Sequence, residues 1–131
     1  MHEYIDVKFI SKSKGRGAFA KKSISKGTII DVAYVILITN KDYKKIKNTQ
    51  LYNYCYIWED PKHLSEYKNA ITLSISQFIN HSFQPNLKYL YDYKEKSIEF
   101  SAIRDISQGE ELTVNYNGLV KDHSPLWFDV E

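Results

Sequence analysis

Segments in which apolar and polar residues alternate run through much of the chain, and they predict strands. Residues 4–10 alternate in this way, and the β-branched, apolar run 28–39 is long enough for one bent strand or two short ones. Residues 86–93 and 97–104 flank a short polar stretch, which is typical of a β-hairpin. Residues 111–115 follow a glycine turn and predict a final strand.

Helix signals are few by comparison. Asn40 is a candidate cap for a short helix over 42–48, and residues 76–79 could form one more turn. The pattern Ile-Ser-x-Gly occurs at 24–27 and again at 106–109, which predicts two similar β-turns. We therefore expect a mostly β protein of short strands.

Composition narrows the class of protein. With 131 residues, 43% of them hydrophobic and 26% charged, the chain resembles an ordinary globular protein, and we expect a single domain over residues 1–131. A net charge of +2 argues against a nucleic-acid-binding protein, and no apolar run approaches the length of a membrane span. The single cysteine, Cys55, and a start without the features of a secretory signal predict an intracellular protein.

Three short motifs contain residues that could do chemistry. The first is Lys14-Gly15-Arg16-Gly17, whose glycines would let backbone groups approach a ligand. It lacks the third glycine of a dinucleotide-binding fingerprint, and by itself it is compatible with an ordinary hairpin turn.

The second and third motifs combine polar groups with strand ends. Asn-His-Ser-Phe-Gln-Pro-Asn over 80–86 lies beside an apolar stretch, and Gly-Glu-Glu-Leu-Thr-Val-Asn-Tyr over 109–116 ends a strand on a tyrosine. A capped turn and a structural tyrosine would explain each motif separately. The histidines lack metal-ligand spacing and Cys55 has no second cysteine to pair with, so we expect no metal site.

The order and spacing of the three motifs resemble the SET domain of protein lysine methyltransferases. The resemblance runs from about Val7 to the C-terminus, with a poor match over about 40–70, where SET domains carry a variable insert. It implies a SET-domain fold of short curved sheets with few short helices and a C-terminal pseudoknot. A short tail of about 117–131 would pack on the cofactor.

The resemblance also implies an activity, the transfer of a methyl group from S-adenosylmethionine to a lysine side chain of a histone or another basic protein. In the family, the glycine hairpin and the Asn-His pair hold the cofactor, which here means Lys14, Gly15, Arg16, Asn80 and His81. Trp127 and Glu131 match tail positions that pack on the adenine and help to fix the cofactor.

Tyrosines are expected to form the lysine channel, although most of the eleven should serve packing. Tyr116 resembles the catalytic tyrosine. Tyr89 resembles a channel position where Tyr favours mono-methylation and Phe leaves room for further methyl groups. Tyr54 and Tyr34 are candidates for another wall. Asn-Gly-Leu follows Tyr116 where many relatives have Tyr-Gly and a further aromatic residue, so one wall is either missing or comes from elsewhere.

Two other functions stay open at this point. A SET-like domain without activity could serve as an interaction module, although a decayed site would be free to lose Asn80, His81 and Tyr116. A small nucleic-acid-binding β protein is disfavoured by the near-neutral charge. The expected partner is a protein or peptide that bears the target lysine. Similarly small stand-alone SET proteins occur in viruses and bacteria, and some of them pair into dimers, so a homodimer is compatible with the sequence. The compartment, cytoplasm or host nucleus, stays open.

Overall fold

The computed structural model describes residues 1–63, 66–118, 123, 124 and 126, and these residues are mostly β, as predicted. The strands are β1 (Ile5–Ser11), β2 (Gly15–Ala20), β3 (Ile29–Thr39), β4 (Tyr56–Ile57), β5 (Tyr67–Thr72), β6 (Asn80–His81), β7 (Leu87–Asp92), β8 (Ser97–Ala102) and β9 (Thr113–Val114). Helical structure comprises α1 (Asn40–Ile46) and two 3₁₀ turns, Gln50–Tyr54 and Ile75–Phe78.

Strands β1 and β2 form an antiparallel hairpin. Ile5 lies opposite Ala20 and Ser11 opposite Gly15, with an irregularity in the register between Phe9 and Ser11. Gly15 has φ +71°, a left-handed conformation that glycine adopts without steric cost. The hairpin turn therefore falls on the glycine motif, at the end where the chain faces the site described below.

A five-stranded sheet in the order β4-β5-β3-β8-β7 forms the body of the described structure. Its long strand β3 is one continuous strand, of which the first half pairs with β8 and the second half with β5, both antiparallel. Strands β7 and β8 form the predicted hairpin, from Leu87 opposite Ala102 to Asp92 opposite Ser97. The offset pairing along β3 carries the 40–70 region to one end of the sheet.

Two pairings join distant parts of the chain near the site. Strand β6 pairs in parallel with β9, Asn80 beside Thr113 and His81 beside Val114. The two Ile-Ser-x-Gly turns also meet, because Ile24 and Ile106 exchange backbone hydrogen bonds of 2.9 and 2.8 Å. The tail to which the pseudoknot prediction refers lies largely outside the described residues.

The 40–70 region corrects two expectations. The residue that caps α1 is Thr39 rather than Asn40, because the Thr39 hydroxyl accepts a hydrogen bond from the Asp42 N–H while Asn40 is already helical. The region also contains β5, a strand that the sequence pattern did not predict. Within Tyr67–Thr72 the polar side chains of Lys68 and Asn69 interrupt the alternation of apolar residues.

The core lies between the hairpin, the long sheet and the β6–β9 pair. Its fully buried large side chains come from β7, β8 and β9, from the segment after β4, and from loops before β6 and around β9, namely Trp58, Ile79, Leu87, Ile98, Phe100, Ile106, Leu112 and Val114. Each such side chain contributes about 1.5–3 kcal/mol of burial free energy. Among the described residues, no helix is both long and apolar enough to cross a membrane.

Candidate active site

A cleft of about 1320 Å³ lies between the glycine hairpin, the β6 segment and the 50–59 region. Eight of the eleven tyrosines line it, so their abundance is concentrated at the site rather than spread through the core. Residues 13–16, Asn80 and His81 form one end, and the eight tyrosines form much of the remaining lining. The cleft thus combines a polar end with an aromatic wall.

Glycine at position 17 allows the hairpin to approach Asn80 closely. A Cβ at Gly17 would lie 2.5 Å from Ile10 Cδ1, which is shorter than any ordinary Cβ contact. It would lie 3.0 Å from Asn80 Nδ2, which is at the lower limit of such contacts. The Asn80 amide donates to the Arg16 carbonyl (3.2 Å) and to the Glu111 carboxylate (3.1 Å). Asn80 is therefore fixed against the hairpin by two partners.

His81 links the polar end of the cleft to Tyr116. Its Nδ1 accepts a hydrogen bond of 3.0 Å from the Tyr116 backbone N–H, so the neutral ring carries its proton on Nε2. Burial lowers the pKa of His81 below its usual value of 6.5, which favours that neutral form. The ring also packs edge-on against Phe83, with centroids 4.5 Å apart.

Acidification is expected to destabilise the protein through His81. Because the folded-state pKa lies below the unfolded value of 6.5, the unfolded chain binds the proton more readily. The stability due to neutral His81 is present above about pH 6.5 and is lost as pH falls through the folded pKa. His81→Gln should therefore show a smaller drop in thermal midpoint than the wild type between about pH 7 and pH 5.

The matched control for this change is His63→Gln, because the His63 side chain is half exposed. It measures how far replacing an exposed histidine by glutamine alters the pH slope by itself. Equal slopes for the wild type and His81→Gln would contradict the assignment of the neutral form to His81.

Tyr116 lies directly after Asn115, beyond β9, with its phenol in the cleft. The hydroxyl donates a hydrogen bond of 3.0 Å to the Ile79 carbonyl, so its one proton is already engaged. Burial raises the pKa of Tyr116 to about 12, with further contributions from Tyr89, Glu111 and Tyr54. The group therefore stays a neutral phenol at physiological pH.

Tyr89 and Tyr56 complete the aromatic wall beside Tyr116. Tyr89 is buried in β7, and its hydroxyl donates to the Tyr116 carbonyl over 3.3 Å. Burial raises the pKa of Tyr89 to about 12. The Tyr56 ring lies 6.0 Å from the Tyr89 ring at 68°, and burial with the nearby Tyr116 raises the pKa of Tyr56 well above its usual value. Tyr56 was not among the predicted site residues.

Asn86 holds the strand that carries Tyr116. Its side chain is 2% exposed, donates to the Glu111 carbonyl (2.8 Å) and accepts from the Thr113 N–H (2.9 Å). The last Asn of the second sequence motif therefore satisfies two backbone groups of the third motif. This clamp holds the start of β9 against the segment that leads into β7.

The structure brings together most, but not all, of the predicted site residues. Lys14, Gly15, Arg16, Asn80, His81, Tyr54, Tyr89 and Tyr116 all line the cleft. Tyr34 does not line it. Strand β3 turns its neighbour Ala33 into the core, and Tyr34, on the opposite face, is 65% exposed. Trp127 and Glu131 lie outside the described residues.

Comparison with known families identifies the fold. The family model for the SET domain matches residues 15–117, which includes both glycines of the hairpin, the β6 segment and Tyr116. The chain belongs to the SET-domain family. The match begins at Gly15 and ends just after Tyr116, so it includes all three motifs except Lys14.

Proteins similar to this chain include histone-lysine N-methyltransferases of Schizosaccharomyces pombe. The chain is 31% identical over 122 residues to the H3 lysine-37 specific histone-lysine N-methyltransferase of Schizosaccharomyces pombe, covering 92% of this chain and 75% of that protein. It is 27% identical to histone-lysine N-methyltransferase set5 of the same yeast, of which it spans 42%. A solved structure of a Plasmodium falciparum candidate histone methyltransferase has a TM-score of 0.65 at 20% identity, covering 95% of this chain and 97% of that one.

A further wall of the SET cleft comes from the 50–59 region. The Gln77 amide donates to the Tyr54 carbonyl (2.9 Å), and its oxygen accepts from the Thr72 hydroxyl (2.8 Å). Gln77 thus connects the 3₁₀ turn Gln50–Tyr54 to β5. No sequence signal identified this link, because its partners lie five and 23 residues away along the chain.

Proposed function

We propose that this SET protein is a protein-lysine N-methyltransferase that takes its methyl group from S-adenosylmethionine. The observation that carries the proposal is one continuous cleft that joins the hairpin and the Asn80–His81 segment to the tyrosines Tyr116, Tyr89 and Tyr56. The relative at 31% identity is a histone-lysine N-methyltransferase, which favours a histone or another basic protein as substrate.

The polar end of the cleft fits a nucleoside-type cofactor. Gly17 removes the side chain that would separate the hairpin from Asn80, and Gly15 leaves the hairpin turn open. Lys14, Gly15 and Arg16 would hold the cofactor through their backbone, together with Asn80 and His81. When bound, S-adenosylmethionine supplies an electrophilic methyl group on a sulfonium centre. Trp127 and Glu131 stay proposed cofactor residues in the tail.

Tyr116 is the proposed catalytic residue. Because its proton is donated to the Ile79 carbonyl, the phenol oxygen can turn a lone pair toward the substrate amine. A fixed oxygen of this kind orients the amine and stabilises the positive charge that grows on it. With a pKa of about 12, Tyr116 does not act by ionising at physiological pH.

The aromatic wall prepares the lysine for reaction. A lysine in water has a pKa of about 10.4 and is therefore protonated, and only the neutral amine is nucleophilic. A channel lined by Tyr89 and Tyr56, whose rings are in contact, replaces water by ring surface, which disfavours the ammonium form and lowers the lysine pKa. Tyr56 is our candidate for the channel wall that many relatives form with an aromatic residue after Tyr116, a residue that this chain lacks.

Replacing Tyr89 by Phe is expected to raise the degree of methylation. The Tyr89 hydroxyl lies at the Tyr116 carbonyl and 3.8 Å from the position a side chain at Gly118 would take, so it narrows the channel there. Removing this oxygen leaves space for a second methyl group on the amine. Mass spectrometry of a methylated peptide should show mainly mono-methyl product for the wild type and more di- and tri-methyl product for Tyr89→Phe.

Tyr67→Phe is the matched control, because Tyr67 lies on β5 away from the described lining of the cleft. It should keep the wild-type product distribution. An unchanged distribution of methylated products in Tyr89→Phe would show that the Tyr89 hydroxyl does not narrow the lysine channel.

The inactive interaction module is the competing function, and cofactor binding separates the two. Calorimetry should detect S-adenosylmethionine binding by the wild type and weaker binding by Asn80→Ala, since Asn80 lies at the polar end of the cleft. Binding accompanied by methyl transfer to a lysine peptide supports the enzyme. A protein that neither binds the cofactor nor methylates histones or cell extract would overturn it. The homodimer and the compartment stay predictions.

A further inference from the structure

The charged residues of the cleft are segregated. Lys14 and Arg16 line it at the hairpin, and Glu59 is the acidic residue among the described lining residues. Hydrogen bonds connect neighbouring residues of the cleft, beginning at the hairpin. Asn80 bonds to the Arg16 carbonyl, and His81 bonds to Tyr116. The basic and the acidic lining residues therefore come from different parts of the fold, Lys14 and Arg16 from the hairpin and Glu59 from the segment after β4.

The same chain of contacts continues from Tyr116 to Tyr93. The Tyr89 hydroxyl bonds to the Tyr116 carbonyl, and the Tyr89 and Tyr91 rings lie 5.8 Å apart. Tyr91 stacks on Tyr93 with centroids 5.8 Å apart and planes 7° apart. Glu59 directly follows Trp58, which packs edge-on against both rings, and Glu59, Tyr91 and Tyr93 line the same cleft, so the carboxylate lies near this pair.

Glu59 is held in position by its neighbours. Trp58 is fully buried, and its backbone N–H donates to the Lys68 carbonyl (2.8 Å). Its ring packs edge-on against the Tyr91 and Tyr93 rings, with centroids 5.6 and 5.0 Å away. Asp60 on the other side is also buried. The backbone around Glu59 is therefore fixed, while its own carboxylate stays exposed at the edge of the cleft.

A carboxylate beside two aromatic rings has a definite chemical preference. Aromatic faces attract cations, and an acidic group next to them adds an ion pair with the same cation. The Tyr91 and Tyr93 rings are too close to admit a group between them, so a cation would lie against the side of the pair near Glu59. An arginine side chain, which is planar and always charged, suits both contacts.

We propose that Glu59, Tyr91 and Tyr93 form a subsite for a basic side chain of the substrate, close in sequence to the target lysine. The inference rests on the proposed methyltransferase function and adds a specificity to it. A substrate chain whose lysine enters beside Tyr116 and Tyr89 would carry a neighbouring residue toward the Tyr91–Tyr93 pair. Glu59 then selects arginine or lysine at that neighbouring position over neutral and acidic residues.

The test is a peptide array in which arginine replaces a neutral residue at each position around one lysine, read by methyl transfer from labelled S-adenosylmethionine. The wild type should prefer arginine at one flanking position by about fivefold or more. Glu59→Gln should lose that preference through a higher KM with little change in kcat. Glu59→Lys should instead favour an acidic flanking residue. Glu95→Gln, exposed in the hairpin turn outside the described lining, should behave as wild type.

Binding of the same peptides by fluorescence anisotropy separates the two possible failures. If no peptide is methylated but the arginine peptides still bind more tightly to the wild type than to Glu59→Gln, the methyltransferase proposal fails and the subsite stands. If peptides are methylated without any flanking preference, or if Glu59→Gln keeps the preference, the subsite is overturned and the enzyme stands. Absence of both methylation and selective binding overturns both.

Discussion

Replacing Tyr116 by Phe is expected to lower kcat for methyl transfer by about a hundredfold or more, the effect of losing one fixed polar group aimed at a growing charge. The phenol is the group whose proton is committed to the Ile79 carbonyl and whose oxygen remains for the amine. The cofactor should bind Tyr116→Phe with nearly wild-type affinity, because the hairpin and Asn80 are untouched. Stopped-time assays with labelled cofactor, and calorimetry on the same samples, measure the two quantities.

Two controls belong to the Tyr116 measurement. Tyr4→Phe removes a phenol from the N-terminal segment, where Tyr4 packs against Lys22, and should keep full activity. Thermal unfolding of Tyr116→Phe should show a protein that is still folded, since the change deletes one hydrogen bond. A folded Tyr116→Phe with wild-type kcat would exclude the phenol from the chemistry.

The largest loss of stability is expected from Asn86→Ala. This change leaves the partly buried Glu111 carbonyl and Thr113 N–H without their side-chain partner. Each unsatisfied buried group costs about 1–3 kcal/mol, so we expect the free energy of unfolding to fall by about 2–4 kcal/mol. Denaturant titration should detect this as a lower midpoint with an unchanged slope.

Asn48→Ala is the matched control, because Asn48 is exposed in the turn that follows α1. It should change the free energy of unfolding by less than about 0.5 kcal/mol. Asn86→Ala with wild-type stability would show that β9 is held by other contacts. Loss of methyl transfer in a destabilised but folded Asn86→Ala would link the clamp to the position of Tyr116.

Much of the fold follows from local patterns in the sequence. Alternation predicted β1 and the β7–β8 hairpin, because one face of each strand is buried against the core. Strand β5 escaped prediction since Lys68 and Asn69 mask its alternation, and its pairing with β3 involves residues far away in the chain. The cap of α1 was misplaced by one residue because Thr39 and Asn40 are both good capping types, and backbone geometry decides between them.

Site residues that belong to the three sequence motifs were predictable. Site residues that reach the cleft only because the chain folds were not. The hairpin glycines, Asn80, His81 and Tyr116 occur in a recognisable order, and the structure brings them to one cleft. Tyr56 lies in the variable insert and reaches the cleft only through the pairing of β4 with β5. Tyr34 is exposed because the alternate residues of β3, including Ala33, face the core. The sequence around β3 does not show which of its two faces is buried.

The central claim is that the cleft transfers a methyl group to lysine. The most direct measurement is mass spectrometry of histone H3 and a lysine-containing peptide after incubation with the protein and S-adenosylmethionine, beside Tyr116→Phe. We predict the mass of one methyl group on a lysine for the wild type and almost none for the variant. Wild-type protein that binds the cofactor yet leaves every lysine in histones and cell extract unmodified would contradict the claim, as would equal modification by Tyr116→Phe.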